Sequence, residues 1–165
     1  MKAITRSEAE HLFIERQMPL DDRNLPTADP SIRDIVEFSI PEDAGKRVFQ
    51  AKALLRPFEG KKTIVWVDDW GVWPSGEHQH MFYRFRQSYG EARLLIEAPV
   101  HIFGSDETED ALSVFCFCIL FLWDCYVVCP ETKDIVFISH DEVGWAVYED
   151  KANFNEVKGE LKTRA

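Results

Sequence analysis

The chain lacks the short patterns that most often betray an enzyme. No G-x-G-x-x-G, Walker loop, G-x-S-x-G, H-E-x-x-H or C-x-x-C pair occurs in it. These patterns cradle phosphates, expose nucleophiles or hold zinc, so a nucleotide enzyme, an esterase and a zinc protease are disfavoured. No cofactor is expected.

Basic residues are scarce where acids are abundant. Residues 105–150 hold 1 basic and 11 acidic side chains, which accounts for the whole formal charge of −10. Such a segment repels phosphate backbones and anionic lipid, so nucleic acid and membrane surfaces are poor partners and a basic protein is a better one.

Long apolar runs are missing too. Ala111 to Trp123, interrupted only by Ser113, is the longest, against roughly 20 residues for a helix that crosses a bilayer. The opening "MKAITRSEAEHLFIERQ" is polar and charged where a secretory leader is apolar. A cytoplasmic protein is therefore expected, and its four cysteines, Cys116, Cys118, Cys125 and Cys129, are expected as reduced, buried thiols.

What is present supports one packed core. A chain of 165 residues with 45% hydrophobic and 13% aromatic content suits a single domain, residues 1–165. Ser7 and Glu10 form a capping-box pattern for a first helix that ends before Pro19. Residues 18–31 carry three prolines and are read as a loop or arm. "DIVEFSI" suits a short strand, and a second helix runs from Pro41 towards Pro57. Thr63 to Val67 forms a strand.

His78, Met81, Phe82, Phe85 and Tyr89 share one face of a third helix, with Gly90 at its end. "ARLLIEAPVHIF" gives one strand, or two broken at Pro99. A fourth helix, residues 108–123, is apolar nearly all round and belongs at the centre. "CYVVC", "DIVFIS" and "VGWAVY" are three late strands, and residues 151–165 are a weak closing helix or a mobile tail. The expected fold is α+β: an antiparallel sheet of about five strands with helices packed on it.

Six places could carry chemistry. His140, Asp141 and Glu142 follow the strand "DIVFIS", where a general base or a metal site could sit; a polar turn between strands is the simpler reading. Trp70 and Trp73 flank a bend beside Asp68 and Asp69 and could line a ligand or partner surface. His101 shares a strand face with Phe103 and suits the core, so a metal, if bound at all, would draw on His101, His140 and Asp141. His78 and His80 diverge on a helix, about 200° apart. The acids of "SDETED" suit a helix start. Arg84, Arg86 and Arg93 are read as ion-pair partners for the acidic C-terminal part.

Three functions follow from these features. The first is a non-enzymatic interaction protein whose acidic, aromatic-bearing surface engages a basic protein partner, in the manner of immunity proteins or small adaptors. The second is a hydrolase-like or metal-dependent enzyme centred on His140, Asp141 and Glu142. The third is a subunit of a homo-oligomer.

Overall fold

The computed structural model describes residues 1–28, 34–71 and 77–164 and, within them, not the side chains of residues 77, 78, 163 and 164. Trp73, residues 29–31 of the proline-rich loop and the side chain of His78 lie outside the described residues.

The class is α+β. Seven strands form one sheet: β1 (Lys2–Ile4), β2 (Ile35–Ser39), β3 (Thr63–Asp69), β4 (Val100–Phe103), β5 (Asp124–Cys129), β6 (Asp134–Ile138) and β7 (Val143–Val147). Their order is β1-β4-β3-β5-β6-β7-β2, and every neighbouring pair is antiparallel. Five α-helices are described: α1 (Arg6–Glu15), α2 (Ala44–Leu55), α3 (Glu77–Ser88), α4 (Thr108–Phe121) and α5 (Lys151–Arg164).

Seven strands correct the expectation of about five. The main addition is β1, only three residues long. It shows no alternation that a sequence window could register and exists because β4 offers it an edge.

The sheet is covered on both faces. On one, Val65, Val67, Cys125, Val127, Val136 and Ile138 meet α2, α4 and α5. On the other, Ile64, Trp66, Tyr126, Val128 and Ile135 meet Ala9 and Phe13 of α1, together with Met18 and Leu25. β3 therefore reads as an unbroken apolar run, Thr63 to Val67, all buried, as expected of a strand with two covered faces.

α4 occupies the central place its composition implied. It packs on α2, β3, β4 and β5, and only Ser113 among residues 111–121 is exposed. Its acids serve as anticipated at a helix start: Glu109 and Asp110 lie in the first turn. Glu107 accepts the Gly104 N–H at 2.8 Å.

One local reading changes, and one of two alternatives is selected. Thr5 and Glu8, not Ser7 and Glu10, form the capping box of α1. The sequence carries the same spacing twice, two residues apart, and the end of β1 at Ile4 selects the first. Residues 151–164 form helix α5, with Phe154 and Val157 buried, rather than a tail. Arg56 anchors it by pairing with Glu156 and Glu160.

Candidate functional site

Strand polarity decides which predicted residues meet. β3 ends where β5 begins and where β6 turns into β7, so Asp68 and Asp69, Asp124, and His140 to Glu142 all belong to one end of the sheet. Asp69 stands opposite Asp124, with a bulge between Val67 and Asp69.

Asp124 organises this end. Its Oδ1 accepts the backbone N–H of His140 at 2.7 Å and lies 2.8 Å from His140 Nδ1. The hydrogen bond to Asp124 raises the imidazole pKa above its ordinary value, and Asp124, Asp141 and Asp69 add to the rise by charge. His140 Nε2 faces Asp141 Oδ1 at 3.6 Å. Among the described residues no hydroxyl or thiol bonds that nitrogen. Ser139 Oγ instead accepts the Asp141 N–H at 3.2 Å.

"FISHDEVGW" is thus a strand, a turn and a strand. Glu142 closes the turn at φ +62°, and its N–H donates to the Ser139 carbonyl. Its carboxylate lies 3.6 Å from Arg47. Asp141 and Glu142 stay largely exposed.

Asp68 is the half-enclosed member of the group. It points to the face that carries Trp66 and Tyr126, and Arg6 approaches it at 3.6 Å while lying over the Trp66 ring. Burial raises the Asp68 pKa more than Arg6 and Arg23 lower it, and Asp124 and Asp69 add to the rise. Burial also lifts the neighbouring Tyr126 phenol to about 12, with Asp68 contributing. Trp70 follows Asp69, partly buried against the core.

His101 does not join this end. It is fully buried on β4, its ring 5.5 Å from that of Phe82 in an edge-to-face contact. Burial, reinforced by the Arg86 charge, pushes its pKa down to about 3, so it is neutral. The ligand set His101, His140 and Asp141 is divided between the interior and the sheet end, and no group of three metal-ligating side chains is brought together among the described residues.

The arginines differ from expectation. Arg93 pairs with Glu91 at 2.6 Å, two residues away. Arg86 is fully buried and donates to the Ala98 carbonyl at 2.9 Å. Neither reaches the acidic C-terminal part, because α3 and residues 91–98 close on each other first. The four cysteines are free thiols, three of them buried.

The acids of residues 105–150 do not form one face. Asp124, Asp141 and Glu142 belong to the end described here. Asp134 lies at the opposite end, where it is buried and accepts the Glu149 N–H at 2.7 Å. Asp110, at the start of α4, accepts from the Tyr89 hydroxyl.

Asp124 is the candidate-site residue that the sequence reading missed. Its signal lay in hairpin register: pairing "CYVVC" with "DIVFI" puts Cys125 opposite Ile138, so the residue before the strand faces the start of the turn. Comparison with protein-family models, curated proteins and solved structures finds no match to this chain.

Proposed function

We propose that this is a non-enzymatic interaction protein, and that the sheet end built by Asp68, Asp69, Asp124 and Asp141 receives a cationic side chain from a basic protein partner. The observation that carries the reading is Asp68. A carboxyl held above its ordinary pKa by burial, with two further carboxylates pushing the same way, is stabilised when a second cation arrives beside it. The exposed Asp141 and the edge of Trp70 supply the rim that such a contact needs.

The hydrolase-like alternative rests on the His140–Asp124 contact. That contact orients the imidazole and raises its pKa, but among the described residues no hydroxyl or thiol bonds its Nε2, so the pairing has no nucleophile to activate.

The test is titration of the protein with an arginine-rich peptide at low and high salt. Binding that weakens at least tenfold in high salt, and again in Asp69→Asn/Asp141→Asn, is expected. Absence of binding at low salt, or salt-insensitive binding, would overturn the proposal.

A further inference from the structure

β2 is an edge strand, bonded on one side to β7 and, among the described residues, on the other to no strand. The ladder fixes which of its backbone groups are open. Ile40 donates to the Glu142 carbonyl on the β7 side, and Phe38 and Val36 stand opposite Gly144 and Ala146. Alternation along an antiparallel pair then turns the N–H and C=O groups of Ile35, Glu37 and Ser39 outward.

One of these outward groups is already answered by a side chain. Gln50 of α2 donates its Nε2–H to the Ser39 carbonyl at 2.9 Å, as a neighbouring strand would. Its own Oε1 is buried and has no donor. Gln50 is 6% exposed and lines a groove of about 920 Å³ that runs between β2, the start of α2 and α5.

The groove combines apolar surface from Phe38 and Leu161 with Lys46, Lys158 and Lys162. Two of its acids are committed elsewhere. Asp43 accepts the Lys46 backbone N–H at 2.8 Å, and Glu160 pairs with Arg56. With Glu160 paired to Arg56, three lysines face the two remaining carboxylates of the lining, Glu37 and Asp43, an excess of one positive charge on a chain of formal charge −10, beside a row of outward backbone donors and acceptors.

We infer that the β2 edge is a second docking site, which takes an extended polypeptide segment of another protein carrying acidic as well as apolar side chains. The segment adds as a strand: its backbone meets Ile35 and Glu37, an N–H reaches Gln50 Oε1, and its carboxylates meet the lysines. A second copy of this chain fits less well. Antiparallel pairing of two β2 strands centred on Glu37 sets two carboxylates opposite each other, which is unfavourable. This inference is independent of the acidic sheet end, which has the opposite charge and offers no open strand.

The probe is an end-capped heptapeptide alternating valine and glutamate, followed by backbone amide NMR. At millimolar peptide, shifts confined to β2 and the Gln50 side chain are expected, with slowed exchange of the Ile35 and Glu37 amides. The lysine-for-glutamate peptide and a version N-methylated at alternate residues should each bind at least tenfold more weakly. Glu37→Pro removes an outward N–H and leaves the β7 ladder intact, so it should abolish binding while the melting temperature stays within a few degrees.

No shift at β2, equal binding of the lysine peptide, or undiminished binding of the N-methylated peptide would each overturn the inference. So would dimerisation of the protein alone with the β2 amides protected. The N-methylated peptide keeps the test decisive should Glu37→Pro fail to fold.

Discussion

The acidic sheet end and the β2 edge meet at the turn of residues 139–142, yet they are built on different principles. At the sheet end the backbone is satisfied and the side chains are in excess: Asp124 is shared between a backbone N–H and an imidazole, and Asp68 is held above its ordinary pKa. At β2 it is the backbone that is in excess, with the outward groups of Ile35 and Glu37 unpaired by any strand among the described residues. The first can recognise charge, and the second can recognise an extended chain.

Gly144 joins the two regions and its substitution should have the largest effect. A Cβ there would meet the Phe137 carbonyl oxygen and the Phe38 ring at 2.5 Å. Gly144→Ala should therefore force β2 away from β7 and destabilise the fold by about 1–3 kcal/mol, read by urea melts. It should weaken the valine–glutamate peptide and leave the arginine-rich peptide bound. Equal loss of both would show that the two regions are not separate.

Asp124→Asn should come next. The amide can still accept the His140 N–H, so the loss should be about 1 kcal/mol at mildly acidic pH. The sign of its pH dependence follows from the raised imidazole pKa. Stability from the His140–Asp124 contact is complete below the ordinary histidine pKa and fades as pH rises through the raised one. Melting curves of the variant should lose that slope between mildly acidic and mildly alkaline pH, and an unchanged slope would place it elsewhere.

Asp68→Asn should have the smallest effect on stability, within about 1 kcal/mol of neutral, since the charged form is the disfavoured one there. In the parent chain the Asp68 carboxyl, with its raised pKa, relieves the folded state as pH falls through the raised value, and the variant should lose that contribution. The variant should still lose affinity for the arginine-rich peptide, which separates a docking residue from a structural one.

The large apolar elements were legible in the sequence because their patterns are long. α4 was found by its all-round hydrophobicity, α3 by the spacing of Phe82, Phe85 and Tyr89, and the three late strands by their β-branched runs. β1 was not, because three residues carry no period. The net charge misled, since a count along the chain says nothing of place: antiparallel strands send Asp124 and Asp134, ten residues apart, to opposite ends of the sheet. The pairing of Asp124 with His140 depends on register, and the open edge of β2 on which strand is last. Neither property belongs to any single segment.

The most direct test of the acidic docking end is the titration of the Asp68 carboxyl by NMR, with and without the arginine-rich peptide. A docked cation should pull the raised Asp68 pKa down towards the ordinary carboxylate value. A carboxyl that titrates identically in both samples would contradict the account.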